Sequence, residues 1–396
     1  MFGTLALFLT LAQPAYREQF PLPDATIPAG LGVNVHFIEP GDNLHRIAEA
    51  GFKWIRTDFS WSRVERTRGE YDFSRYDKLL SGLSENHLRA ILILDYGNPL
   101  YQEGAPRSEE ARAAFVRWAH ASLQHFRHRG IVWEMYNEPN GKFWKPAPNA
   151  AEYATLAKEV GQEIRANEPD EWFIGPSVTG IDLKFLKSCF SAGLLDYWDA
   201  VSVHPYRGHR PETVLGDYAA LKGRIAEFAG GKSIPIICSE WGYPDSQYSE
   251  ETQADFLARE YLCGLMADVP ITIWYDWTND AYDPAAPDES HFGVVDRDLG
   301  EKEPLRVVRA LTQALRGWKL AAVVSDKPYL YLLKFSRGGE VKYLAWCWDA
   351  NMETFHMPSG SYTVTPLGGE PYSAEADGAG LRIELGPRPV VLMGER

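Results

Sequence analysis

A chain of 396 residues has room for one large domain of about 250–300 residues and a small companion. Its composition, 45% hydrophobic and 24% charged, is that of a folded protein with a sizeable core. The net charge of −14, with no Lys/Arg-rich cluster, argues against a nucleic-acid or anionic-membrane partner. Four widely spaced cysteines, Cys189, Cys238, Cys263 and Cys347, lack CxxC or Cys/His ligand spacing and so exclude a disulfide framework or structural zinc.

The first element is the apolar run Phe2–Ala12, too short to span a bilayer. It reads as a signal-peptide core over residues 1–12, with secretion or a periplasmic location as the expectation. Because no Lys or Arg precedes it, a cytoplasmic location stays open. From about residue 31 to 316, short β-rich runs alternate with amphipathic stretches. The strands are expected at LGVNVHF (31–37), KWIRTDF (53–59), RAILILDY (89–96), IVWEMYNE (131–138), WFIGPSV (172–178), DAVSVHPY (199–206), IPIICSE (234–240) and ITIWYDW (271–277).

Between them, segments such as SEEARAAFVRWAHASLQHF and AAEYATLAKEVGQEI repeat apolar residues every three or four positions, the period of a helix. Strands alternating with helices pair in parallel through right-handed crossovers. Eight such units, without a GxGxxG after the first strand, predict an α/β fold: a (β/α)8 TIM barrel over residues 24–316. After the helix LRVVRALTQAL (305–315) the helical period disappears, and residues 317–396 predict a small C-terminal β-sandwich.

In such a barrel, polar residues at the C-terminal strand ends form the active site. That rule selects His36, Arg56 with Asp58, Asp95 with Tyr96, Asn137 with Glu138, His204 with Tyr206, Glu240, and Trp274 with Asp276. Two of these are glutamates, ending the fourth and seventh strands. Glycoside hydrolysis needs two carboxyl groups flanking the scissile bond. A spacing of about 5–5.5 Å means retention, and about 6.5–9.5 Å means inversion.

Five motifs occur in strand order: Arg56 closing strand two, WEMYNEPN (133–140), SVHPY (202–206), ICSEWG (237–242) and IWYDW (273–277). Together with FSWSRVERTRGEYDFSRYDKLL (59–80), they resemble clan A of the retaining (β/α)8 glycoside hydrolases. Within it the chain is most similar to family 39, the β-xylosidases and α-L-iduronidases, with the family 5 cellulase-like enzymes as the near alternative. The resemblance implies Glu138 as acid/base and Glu240 as nucleophile. It also implies Asn137 as the amide on the sugar 2-hydroxyl, Tyr206 and Arg56 as holders of the nucleophile, His204 on the acid/base side, and Trp274 as the floor beneath the reacting sugar. Phe143 and Trp144 follow the acid/base and are expected on the leaving-group side.

Each position also has a plainer reading. Arg56 fits a structural ion pair with Glu134, His36 fits a hydrogen-bonded core histidine, and Asp95 and Asp276 fit either sugar hydroxyls or turns. Trp144 fits packing as well as a sugar platform. Cys238, two positions before Glu240, is expected on the same face as barrel filler. Asn34-Val35-His36 lacks the His-x-His of metal-dependent barrels, so neither metal nor cofactor is expected. The expected partner is an oligosaccharide or polysaccharide, cleaved at a β-linkage from the chain end. An endo-acting β-glycanase and a non-catalytic carbohydrate-binding barrel are the alternatives, and the sugar is left open.

Overall fold

The computed structural model describes residues 16–39, 41–283, 285–327 and 329–394. The expected leader, residues 1–12, lies outside them. Among the described residues no helix is long and apolar enough to cross a membrane.

Eight parallel strands close into a barrel in sequence order: β1 (Leu31–Asn34), β2 (Trp54–Ser60), β3 (Arg89–Asp95), β4 (Val132–Met135), β5 (Trp172–Thr179), β6 (Ala200–His204), β7 (Ile236–Trp241) and β8 (Thr272–Trp274). Closure comes from the pairing of Val33 with Trp274 and its neighbours. Because side chains alternate along a strand, one set fills the barrel: Trp54, Ile91, Val132, Ile174, Ala200, Ile237, Ile271 and Ile273 form a single inner cluster. The opposite set packs on the surrounding helices. Several of those helices begin at a side-chain cap, with Ser108, Asn149, Asp182 and Ser249 each accepting a backbone N–H of the first turn. Such caps contribute about 1 kcal/mol each.

The C-terminal part is one antiparallel sheet of eight strands, from Lys319–Lys327 to Val390–Gly394, folded over as a half-barrel or sandwich. The strands not expected from sequence, such as Asn351–Phe355 and Tyr372–Asp377, expose most of their residues and carry few apolar ones. Alternation again divides the strands. Leu330 and Leu332 enter the sheet's own core, while Tyr331, Leu333 and Phe335 join the core shared with the barrel. At that junction Arg259 forks onto Glu212 at 2.6 and 2.8 Å, and Trp346 from the sheet donates its indole N–H to the same carboxylate at 2.7 Å. Arg388 adds hydrogen bonds to Asp255 and Glu303.

Candidate active site

The C-terminal rim is organised by one guanidinium. Arg56 alternates inward from β2 and is 1% exposed. Its Nε donates to Glu134 Oε2 at 2.7 Å, Nη1 to Glu240 Oε2 at 2.6 Å and to Asn34 Oδ1 at 3.3 Å, and Nη2 to Asn137 Oδ1 at 2.8 Å and Ser177 Oγ at 3.3 Å. Burial opposes its charge, but the carboxylates of Glu134 and Glu240 outweigh that and hold it protonated. Both readings of Arg56 therefore hold, as a buried structural ion pair and as a contact of Glu240.

Glu240 reaches the rim through a register shift in β7 between Cys238 and Trp241. The same shift corrects the expectation for Cys238. It lies in the outer core, beside Tyr218 and Glu260 of the surrounding helices, and not on the face of Glu240. Glu240 Oε1 accepts from the Tyr206 hydroxyl at 2.9 Å. Burial, then the charge of Glu240, pushes the Tyr206 hydroxyl far up, so it remains a donor.

Glu138 follows β4 with a left-handed backbone, φ 44°, and its N–H donates to the carbonyl of Ser177 at 3.0 Å. Its Oε1 stands 3.0 Å from His204 Nδ1. Burial favours the protonated carboxyl; the hydrogen bond of His204 and the charge of Arg56 pull the other way and prevail in the open site, below the usual carboxylate range. One oxygen of Glu138, one oxygen of Glu240 and a ring nitrogen of His204 all lie within 4.8 Å of one another. The two carboxyls therefore face one another across a gap that one sugar ring can share, as a two-carboxylate glycosidase requires.

Asn137 has a defined orientation. Arg56 cannot accept, so Oδ1 faces it, and Nδ2 donates one proton to the Tyr96 hydroxyl at 3.1 Å. The other amide proton is free for a ligand hydroxyl. Phe143 stacks on Tyr96 at 5.5 Å and is half-buried beside the site.

Three expected positions are corrected. Trp274 is 0% exposed and donates its indole to the Phe292 carbonyl at 3.0 Å, so it offers no face to a sugar. The inward alternation Ile271, Ile273 continues to Tyr275, which is half-buried at the rim with its hydroxyl 3.2 Å from His36 Nε2. Gly242 permits this placement, since a Cβ there would lie 2.1 Å from the Tyr275 carbonyl oxygen. Trp144 is also 0% exposed, packed against Tyr136 and Tyr153 with its indole on Glu152. Asp95 is fully buried, and burial followed by the neighbouring Asp58 drives its carboxyl well up; neither of its oxygens reaches the surface of the site or has a hydrogen-bond partner among the described residues.

His36 remains half-exposed, 3.3 Å from the buried Asp276. Burial works against the imidazolium, but the hydrogen bond and charge of Asp276 raise it to about 9. Burial raises Asp276, so the pair keeps a proton through neutral pH. Two sets of ligand-type side chains converge among the described residues: Glu138, His204 and Glu240, and His36, Asp276 and Asp280. Arg56 already occupies one oxygen of Glu240 in the first set, and the proton on the His36–Asp276 pair competes with a metal at the second.

The loops after β4 and β8 come from opposite sides of the barrel, yet Lys142 Nζ meets Glu289 Oε1 at 2.8 Å. The segment 278–293 is held by the buried Lys302, which donates to the Gly293 carbonyl at 2.6 Å and to Asp245 at 2.7 Å. Ser177, Tyr275 and the Lys142–Glu289 pair were not among the expected site residues. Alternation extended one residue past β8 finds Tyr275; Ser177 enters through a register shift in β5 between Pro176 and Val178, for which the sequence gives no signal beyond the proline.

A closed parallel barrel carrying two adjacent carboxyls at the ends of β4 and β7 defines the class: a retaining clan A glycoside hydrolase. The model of the cellulase family, glycosyl hydrolase family 5, matches residues 31–280, and the chain belongs to that family. A search of curated proteins finds no match. Among solved structures, a family 39 glycoside hydrolase from Bacteroides cellulosilyticus WH2 is 23% identical, with a TM-score of 0.83 over 94% of this chain and 81% of that one. A family 39 β-xylosidase from Caulobacter crescentus is 17% identical, TM-score 0.70, over 94% and 97%. A family 30 endoxylanase from Clostridium papyrosolvens C71 is 11% identical, TM-score 0.63, over 95% and 98%. At these identities the likeness is one of fold. Both families named from the motifs thus reappear, family 5 through sequence and family 39 through fold.

Proposed function

We propose that the protein hydrolyses β-linked glycosides by double displacement, with Glu240 as nucleophile and Glu138 as acid/base, and releases a neutral sugar from the chain end. The observation that carries the reading is the unequal holding of the two carboxyls. Glu240 is gripped on both oxygens, by Arg56 at 2.6 Å and by the Tyr206 hydroxyl at 2.9 Å, which fixes it for attack; Glu138 has no guanidinium contact among the described residues and meets the ring of His204 at 3.0 Å. Glu240 attacks the anomeric carbon while Glu138 gives its proton to the departing oxygen. The resulting carboxylate of Glu138 then takes a proton from water, whose oxygen displaces Glu240. Asn137 supplies its free amide proton to the sugar 2-hydroxyl, and Tyr275 lies under the ring.

Two observations favour chain-end action on a neutral sugar. The Lys142–Glu289 contact joins loops from opposite strands and narrows the mouth. Asp58, Asp276 and Asp280 all act electrostatically on His36, so three acidic side chains face one imidazole there, a balance that disfavours a uronate. The β-xylosidase likeness agrees with a chain-end reading, whereas the cellulase family name and the endoxylanase likeness keep endo action as the competing one.

The test is a panel of nitrophenyl β-glycosides run beside reducing-end assays on polysaccharides. Preference for the small glycosides supports the proposal, and efficient mid-chain cleavage of polymer replaces chain-end with endo action. Loss of turnover in Glu240→Ala, with Glu138→Ala keeping activity on an activated aryl glycoside, supports the roles. The reverse pattern exchanges them, and binding without turnover in the unaltered protein leaves a carbohydrate-binding barrel.

A further inference from the structure

The acid/base is useful only if its proton points at the departing oxygen, and His204 threatens that. A neutral imidazole carries one N–H and one bare nitrogen. With the bare nitrogen at Nδ1, 3.0 Å from Glu138 Oε1, a protonated Glu138 would donate into the ring and its proton would be pinned there. With the N–H at Nδ1, Oε1 can only accept, and the proton must ride on Oε2. Something on the far side of the ring has to choose.

We propose that Ser177 is that positioning residue. It is 0% exposed, and its hydroxyl lies 3.1 Å from His204 Nε2 and 3.3 Å from Arg56 Nη2. A guanidinium cannot accept a hydrogen bond, so Arg56 occupies a lone pair of Ser177 Oγ. His204 Nε2 is the acceptor the structure gives the Ser177 proton. Were Nε2 protonated instead, the hydroxyl would receive two donors, and its own proton would be buried without a partner, which costs free energy. The arrangement that satisfies every group runs one way: Arg56 donates to Ser177, Ser177 donates to His204 Nε2, and His204 Nδ1–H donates to Glu138.

The backbone fixes the serine in place for this. Ser177 has φ 56°, a left-handed conformation that non-glycine residues adopt at a cost, and its N–H is tied to Ser202 Oγ at 3.0 Å. Its carbonyl accepts the Glu138 N–H at 3.0 Å. Ser177 therefore grips the acid/base from both directions, through the main chain directly and through His204 indirectly. The inference rests on Glu138 being the acid/base, and the test separates the two claims.

In the full-length protein labelled with 15N-histidine, the His204 ring, assigned by its loss in His204→Asn, is expected as the neutral Nδ1–H tautomer. An Nε2–H tautomer in the unaltered protein overturns the proposal without any variant of Ser177. In Ser177→Ala the ring is expected to lose that preference. Turnover of glycosides with poor leaving groups should then fall by roughly ten- to a hundredfold, a part of what general acid catalysis contributes, with dinitrophenyl glycosides changed by about twofold or less. A loss equal for good and poor leaving groups means a merely structural serine and overturns the proposal.

His204→Asn offers a fixed N–H donor without tautomers, so adding Ser177→Ala to it should leave the leaving-group dependence unchanged; a further selective loss also counts against the proposal. Should Ser177→Ala fail to fold, Ser177→Cys, with its weaker S–H donor, is expected to give an intermediate leaving-group effect, and no effect overturns it. If Glu138→Ala itself lacks leaving-group dependence, the acid/base assignment fails, and not the tautomer.

Discussion

Arg56 Nη1 stands 2.6 Å from Glu240 Oε2, and both groups belong to one buried lattice that continues through the same guanidinium to Glu134. A cation at this position does two jobs, fixing the Glu240 carboxylate by a hydrogen bond and pairing with Glu134, a structural carboxylate that is 0% exposed.

Arg56→Met is accordingly expected to damage stability as well as rate. It strands Glu134 without a counter-charge, and breaking a buried pair from one side costs about 3–5 kcal/mol. Thermal unfolding should report a clear fall in Tm. An unchanged Tm with activity lost would mean that Glu134 finds another partner.

The pH profile should show two different alkaline limbs. Glu138 must carry its proton to act as an acid, and in the open site His204 and Arg56 hold it below the usual carboxylate range. The limb of kcat/KM, which reports the free enzyme, therefore falls at acidic pH. A bound sugar excludes more solvent and strengthens burial, which favours the protonated form, so the limb of kcat is expected at higher pH. His204→Phe removes a donor to the carboxylate and should move the kcat/KM limb upward. Coincident limbs, or a downward move in the variant, would contradict this account.

Tyr275→Ala and Trp274→Ala should separate substrate contact from packing. Tyr275 is half-buried at the rim, and its removal is expected to raise KM or lower kcat with little effect on Tm. Trp274 is fully buried, and its truncation should cost about 3–5 kcal/mol of stability. Steady-state kinetics beside unfolding curves check both.

Lys142→Ala and Glu289→Ala should widen the mouth. Both side chains are largely exposed, at 67% and 74%, so their contact contributes little to stability and Tm should stay put. The ratio of polysaccharide to aryl-glycoside activity is the informative measurement, and it is expected to rise in each variant. A ratio that does not move would remove the support this contact gives to chain-end action.

A uronate at the same site should fare badly. With Asp58, Asp276 and Asp280 around His36, a nitrophenyl β-glucuronide is expected to be cleaved roughly a hundredfold more slowly than its neutral counterpart, since like-charge contact costs several kcal/mol. Equal rates would show that the acidic wall does not face the sugar.

The barrel and the paired carboxyls were legible because both follow from period: alternation sets the strands, and the strand-end rule picks Glu138 and Glu240. The period is a poor guide where the strand register shifts or where the inward series runs past the strand end. Trp274 ends β8, but the inward series runs through Ile271 and Ile273 to Tyr275. Counting two puts Cys238 on the face of Glu240, and the register shift in β7 breaks that count. Asp95 does follow the inward face, yet it is fully buried. Ser177 could not be found by any period, since its role depends on which neighbours can accept a proton.

The junction of barrel and sheet bears on how this protein could be rebuilt from parts. Glu212 is shared by Arg259 from the barrel and Trp346 from the sheet, and it opens the segment that follows His204 and Tyr206 in the chain. A chimera that exchanges the sheet for that of a relative must transplant Trp346, or an equivalent donor, with it. Otherwise the graft line runs through a buried carboxylate one loop away from the residues that grip both glutamates.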